Sequence, residues 1–193
     1  MIYANKPCLI VIAGLPGTGK STISKKLAME LHWPYFDYDT LNASHLKRIE
    51  AEYGISDSKL AFYRKWRDTS YETLWAPVIE NLNLGIDCIL SAPLTREVRD
   101  ARFFSVLQKD FLERQIYTIG IYLVPDSELH FEMIRSRNSD RDGEIIENWY
   151  SYYSNQDTSS PSWDANMKLV LTYRSSDQAF QQALDAIKSR LVE

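Results

Sequence analysis

The residues of greatest chemical consequence lie close to the start of the chain. Gly14-Leu15-Pro16-Gly17-Thr18-Gly19-Lys20-Ser21 fits the pattern G-x-x-x-x-G-K-[ST], and Thr22 follows. Each residue type there has a physical reason. Glycines reach positive φ, so successive backbone N–H groups can converge into an anion nest. A loop that feeds a helix N-terminus adds that end's partial positive charge and its unpaired N–H donors. The spacing predicts that Lys20 bridges the β- and γ-phosphates of a nucleotide and that Ser21 ligates Mg²⁺. The bland alternative is a tight strand-to-helix turn, but a chance match in one chain of this size is on the order of one per cent. Composition points the same way. Only 7 of 193 residues are glycine, and Gly14, Gly17 and Gly19 fall within six consecutive positions.

Other charged residues stand where they could serve such a site. Asp37 and Asp39 are two apart in a stretch, Tyr35 to Asp39, that reads as a strand, which would put both side chains on one face. The carboxyl ends of parallel strands are where α/β sheets bind ligands. The alternative is a solvated strand end, with Asp39 or Thr40 capping a following helix. Arg135, Arg137 and Arg141 flank the polar interruption Asn138-Ser139-Asp140. Arginine offers permanently charged, forked donors that suit phosphate oxygens, although Asp140 and Asp142 could simply pair with these arginines. Arg96 and Arg99 follow Ser91-Ala92-Pro93-Leu94, within reach of an anionic substrate or as plain exposed charges. Tyr63, Trp66, Trp75, Trp149 and Tyr152 could line a pocket for an apolar or ring-bearing molecule, or belong to the core.

Several function classes lose weight on composition. Lys and Arg total 22 against 26 Asp and Glu, a net charge of −4, so a general nucleic-acid groove is not expected. Cys8 and Cys88 sit in apolar runs and read as reduced and buried. His32, His45 and His130 lack ligand spacing, so no zinc site is expected. No stretch reaches the roughly 18 apolar residues of a spanning helix, and no signal-peptide pattern is present. The chain is expected to be cytoplasmic, with no membrane partner, as a monomer or a homodimer.

Elements must position these residues, and the hydrophobic pattern supplies them. Cys8 to Ala13 is a continuous apolar run of strand length. Ile23, Leu27 and Leu31 then form a helical stripe, broken by Pro34. Residues 57–84 read as helical, with Pro77 kinking or restarting the helix and Gly85 stopping it. Ile86 to Ser91 is a third strand, Thr95 to Glu113 a helix, and Ile116 to Val124 a fourth strand. Asp126 or Ser127 is expected to cap a helix running to about Arg137. A further helix carries Trp149, Tyr152 and Tyr153, and Asp157 to Ser162 reads as a polar loop. Lys168 to Thr172 is a fifth strand, and Ser175-x-x-Gln178 resembles a capping box for a last helix. Five strands separated by helices predict an α/β fold, three layers around a five-stranded parallel sheet, in one domain over residues 1–193.

The loop from Gly14 to Thr22, followed by Asp37-x-Asp39, resembles the P-loop kinases with the nucleoside monophosphate kinase fold. Within that group the chain is most similar to small kinases near the zeta toxins, chloramphenicol phosphotransferase, gluconate kinase and shikimate kinase. The resemblance covers most of the chain, and the loop is its specific part. It implies a three-layer α/β/α P-loop NTPase fold with a helical lid at about residues 135–145 and an acceptor-site helical region at about 40–84. It implies ATP as phosphoryl donor, Mg²⁺ as cofactor and a hydroxyl of a small molecule as acceptor. Nucleotide binding falls to Gly14, Leu15, Pro16, Gly17, Thr18, Gly19, Lys20, Ser21 and Thr22, with Arg174 beside the adenine. Asp39 is expected as the base and Asp37 as its support or as the acid that orders Mg²⁺ through water; which of the two acids is the base stays open. Arg137 and Arg141, ahead of Arg135, would close over the phosphates, and Arg96 would touch the acceptor. One departure stands out: Ser91 ends the third strand where many P-loop proteins carry a magnesium-ordering Asp. Two other readings remain, a regulatory ATPase module that hydrolyses weakly and a polynucleotide 5′-hydroxyl kinase.

Overall fold

The computed structural model describes residues 6–54, 59–137, 142–157 and 159–191. Five strands run parallel in the order β2-β3-β1-β4-β5. They are β1 (Cys8–Gly14), β2 (Tyr35–Asp37), β3 (Cys88–Ser91), β4 (Tyr117–Pro125) and β5 (Met167–Tyr173). β1 is central and wholly buried, which is why its sequence is a continuous apolar run instead of an alternating one. Its side chains still divide by parity. Leu9, Val11 and Ala13 face one core, and Ile10 and Ile12 face the other.

The helices cover both faces. On the first, α4 (Arg67–Leu84) packs Leu74, Val78 and Leu82, and α5 (Phe103–Phe111) packs Phe104 and Leu107. On the second, α1 (Lys20–Leu31) packs Ile23 and Leu27, and α9 (Ser176–Leu191) packs Ala179, Ala183 and Ile187. Each fully buried Leu or Ile contributes on the order of 1.5–3 kcal/mol of transfer free energy. Cys8 and Cys88 are free thiols in opposite cores, and burial pushes the Cys88 thiol up to about 12. The remaining helices are α2 (Tyr38–Tyr53), α3 (Lys59–Lys65), α6 (Ser127–Arg137), α7 (Gly143–Glu147) and α8 (Trp149–Ser154).

Two local expectations are corrected, and of the two alternatives at Pro77 the restart is excluded. The strand predicted over Tyr35 to Asp39 ends at Asp37, and α2 begins at Tyr38. The reason is a cap: the Asp37 carboxylate accepts from the Thr40 N–H at 2.9 Å, so the chain turns into helix there. The helix predicted over Thr95 to Glu113 is a 3₁₀ turn at Glu97–Arg99 followed by α5. Asp164, 60 residues away from the α5 start, accepts from the Phe104 N–H at 2.7 Å and fixes that start. α4 runs uninterrupted through Pro77. Thr73, whose carbonyl loses its helical partner to the proline, is an exposed residue. Other signals hold: Gly85 ends α4 in the left-handed region at φ 87°, and Ser175 Oγ accepts from the Gln178 N–H at 3.2 Å. Among the described residues, no helix is long and apolar enough to cross a membrane.

Candidate active site

β1 delivers the chain into the glycine loop, and the loop delivers it into α1. Gly17 and Gly19 take φ of 78° and 70°, a region that L side chains enter only with strain. Gly19 is the N-cap of α1, with no side-chain cap and no acid in the first turn. The first N–H groups of that helix therefore remain donors for an anion. Lys20 folds back over the loop, its Nζ donating to Gly14 O at 3.0 Å and to Leu15 O at 2.8 Å. Thr18 Oγ1 donates to Leu15 O at 2.8 Å, and the Tyr173 hydroxyl donates to Thr18 O. Thr22 is exposed on α1.

The loop is also braced from behind, which sequence reasoning missed. His130 of α6 is 1% exposed, and its Nε2 lies 2.7 Å from Pro16 O. Neutral imidazole with the proton on Nε2 satisfies that carbonyl. Burial, together with the nearby Lys20 and Arg137 cations, lowers the His130 pKa despite this hydrogen bond. The ring meets Trp149 and Tyr153 edge-on, with centroids 5.1 and 6.0 Å away. Ile134, one turn further along α6, leaves no room for a Cβ on Gly17; an added Cβ would stand 2.4 Å from Ile134 Cγ1.

Beneath the loop, Ser21 Oγ donates to Asp37 Oδ2 at 2.9 Å. The same carboxylate accepts from the Tyr35 hydroxyl at 2.8 Å and from Thr40 N and Oγ1, both at 2.9 Å. Burial opposes ionisation of Asp37, but these donors together hold its pKa below the usual carboxylate value. With its proton committed to Asp37, the Ser21 oxygen keeps lone pairs for a cation. Ser91, in register with Asp37 on the neighbouring strand, turns a buried hydroxyl to the same place, close to the Tyr35 hydroxyl. Two hydroxyls and a carboxylate are hard oxygen donors of the kind Mg²⁺ prefers, so the residues fit it. Among the described residues, no group of three or more His, Cys, Asp or Glu could enclose a metal alone.

Asp39 diverges from Asp37. It lies in the first turn of α2, exposed, and lines a cleft of about 1050 Å³ that opens beside Leu15 and Pro16 of the loop. Arg67 lines the same cleft, its Nη2 held by Glu97 Oε1 and Oε2 at 2.7 and 2.8 Å. Neither Arg67 nor Glu97 carries a motif, and neither was found from sequence. Arg96 is exposed, with Nη1 3.9 Å from Asp68. Arg99 instead ties down Asp157 and Ser159, donating to Asp157 O at 2.8 Å and to Ser159 Oγ at 2.8 Å.

Arg137 is engaged. Its Nε and Nη2 donate to Asp142 at 2.8 and 2.5 Å, and the Asp142 side chain is 2% exposed. Arg135 is exposed at the end of α6. Arg141 lies outside the described residues. Arg174 is exposed after β5, its backbone N–H donating to Gln178 Oε1 at 3.3 Å.

This fold and loop define a P-loop nucleotide-binding protein. The chain belongs to the AAA domain family, whose profile matches residues 9–148. Among solved structures it is similar to a candidate kinase from Chloroflexus aurantiacus, at 22% identity over 96% of this chain and 98% of that one, with a TM-score of 0.66. A sugar kinase from Janibacter matches at 15% identity over 97% of each chain, TM-score 0.61. A gluconokinase from Sinorhizobium meliloti matches at 14% identity over 98% of this chain and 95% of that one, TM-score 0.57. These likenesses extend the family assignment to the fold of small-molecule P-loop kinases. No curated protein matches the sequence significantly.

Proposed function

We propose that the protein is an ATP- and Mg²⁺-dependent phosphotransferase that moves the γ-phosphoryl group to a hydroxyl of a small-molecule acceptor. The observation that carries this is the position of the cleft. A chamber of about 1050 Å³ adjoins the phosphate loop at Leu15 and Pro16 and has a carboxylate, Asp39, on its wall. A protein that only bound or hydrolysed nucleotide would need no such chamber. The sugar kinase and gluconokinase folds named above support the same reading.

In this reading the backbone N–H groups of the loop, Pro16 excepted because proline has none, hold the phosphates, and Lys20 exchanges its carbonyl partners for β- and γ-oxygens. The acceptor oxygen forms a bond to the γ-phosphorus as the bond to the leaving ADP oxygen breaks. Asp39 accepts the hydroxyl proton, and Asp37 holds Ser21 in place. Ser21 Oγ, and Asp37 through water, would hold Mg²⁺, which would supply charge neutralisation on the phosphates. Arg137 belongs to the lid that excludes water, Arg174 to the base end and Arg96 to the acceptor side.

The test is incubation with ATP, Mg²⁺ and a panel of hydroxyl metabolites, read by mass spectrometry. The expected result is a phosphate-sized mass gain on an acceptor. Slow ADP release indifferent to every acceptor would contradict it.

A further inference from the structure

The cleft beside the loop is longer than one sugar ring requires. On α2 it is lined by Asp39, Asn42, Leu46, Lys47 and Glu50, a single stripe at helical spacing. At about 1.5 Å rise per residue, Lys47 stands about 12 Å along the helix axis from Asp39.

The chemistry of the wall changes over that length. Near Asp39 it is polar and buried. Asn42 is 1% exposed; its amide N–H groups donate to Tyr38 O at 2.8 Å and Ser70 O at 3.2 Å, and its Oδ1 has no partner among the described residues. Beside it the Tyr38 and Tyr71 rings meet at 4.9 Å, and further along α2 the wall turns apolar at the buried Leu46. Arg67 stacks 4.2 Å over Tyr71, but Glu97 neutralises it. The far end of the α2 stripe carries Lys47, and Arg64 of α3 lines the same cleft; both are exposed and, among the described residues, neither is in an ion pair. Glu50 is the acid on that stretch, so the end keeps an excess of positive charge on a chain of net charge −4.

Resting on the phosphotransferase reading, we propose that the acceptor is an elongated, ring-bearing alcohol. Its reactive hydroxyl lies against Asp39, its ring lies along Leu46 and Tyr71, and an anionic group about 10–12 Å from the hydroxyl is taken by Lys47 and Arg64. A single-ring sugar acid is too short to satisfy both ends. Carboxylate and phosphate share the required chemistry.

The test uses four probes: 4′-(hydroxymethyl)biphenyl-4-carboxylate, the corresponding phosphonate, the neutral primary amide, and the shorter 4-(hydroxymethyl)benzoate. Binding to the full chain, saturated with Mg²⁺ and the β,γ-imido analogue of ATP, is measured by calorimetry. Transfer from ATP is then read by mass spectrometry. The long acid, the long phosphonate or both should bind about tenfold more tightly than the amide and the short acid. Which long anion binds better identifies the group. The double variant Lys47→Ala/Arg64→Ala should bring the charged-to-amide preference to less than twofold, and both positions are exposed, so it should fold. Equal binding of acid, phosphonate and amide, a preference that survives the double variant, or no binding by any long probe would overturn the proposal. If the preference follows the expected pattern but the bound alcohol is never phosphorylated, the acceptor geometry stands and the phosphotransferase reading falls. If short alcohols are phosphorylated and the long anions are refused, the reverse holds.

Discussion

Replacing Gly17 by alanine tests whether the phosphate loop is packed against α6 or merely next to it. Gly17 sits at φ 78°, so any L residue pays about 1–2 kcal/mol of backbone strain. The new Cβ would also stand 2.4 Å from Ile134 Cγ1 and 3.2 Å from Cδ1, against an ordinary carbon contact of about 3.5–4.0 Å. Ile134 is fully buried on α6, so relief requires a movement of about 1 Å by the loop or the helix. Overpacking of this kind costs about 1–3 kcal/mol. The sum is about 2–5 kcal/mol, or roughly 5–20 °C in Tm for a chain of this size. Gly85 supplies the control: at φ 87° and ψ 20° it is also left-handed, and an added Cβ there meets only the guanidinium end of the flexible Arg114 side chain, at 2.8 Å, so Gly85→Ala carries chiefly the backbone strain. Thermal unfolding and ATP calorimetry on Gly17→Ala, Gly85→Ala, Ile134→Ala and the Gly17→Ala/Ile134→Ala pair complete the cycle. Gly17→Ala should exceed Gly85→Ala by about 1–3 kcal/mol and weaken ATP at least tenfold, and the pair should fall short of additivity by a similar energy. Equal losses at Gly17 and Gly85, or strict additivity with Ile134→Ala, would refute the packed loop.

Other substitutions probe separate parts of the account. Asp39→Asn should remove most turnover in single-turnover assays and leave the ATP Kd within about twofold, because Asp39 lines the cleft and not the loop. Asp37→Asn keeps an acceptor for Thr40 but deprives Ser21 and Tyr35 of theirs. It should cost about 1–3 kcal/mol in chemical denaturation and raise the Mg²⁺ concentration needed for ATP binding. His130 is held neutral with its pKa lowered, so the unfolded chain binds the extra proton first, near pH 6.5. Stability should therefore be full above pH 6.5 and fall by up to about 1.4 kcal/mol per unit below it. The gap between wild type and His130→Gln should narrow over that window, and a constant gap would contradict the assignment.

The donor end of the site was readable because its constraint is local. Phosphate contact demands glycine, lysine and serine at fixed spacing, and β1 and α1 announce themselves by a buried run and a helical stripe. The acid pair was only half readable. The Asp37 carboxylate caps α2, so Asp37 turns inward to Ser21 and Asp39 falls on the helix, and a strand pattern continued by two residues conceals that switch. His130 and Pro16 are 114 residues apart, and Asp164 fixes the start of α5 from a distance of 60. Neither pairing leaves a periodic trace in the sequence. The acceptor wall was unreadable for a related reason. Arg67 is defined by Glu97 and Tyr71, which reach it from a 3₁₀ turn and from its own helix, and its residue types alone match any charged helix surface.

The most direct measurement follows the fate of the γ-phosphoryl group by ³¹P NMR, with enzyme, ATP, Mg²⁺ and a pooled extract of small alcohols. The account predicts a new phosphomonoester resonance growing in step with ADP, abolished in Lys20→Ala and nearly so in Asp39→Asn. Growth of inorganic phosphate alone, at a rate the extract does not change, would contradict it.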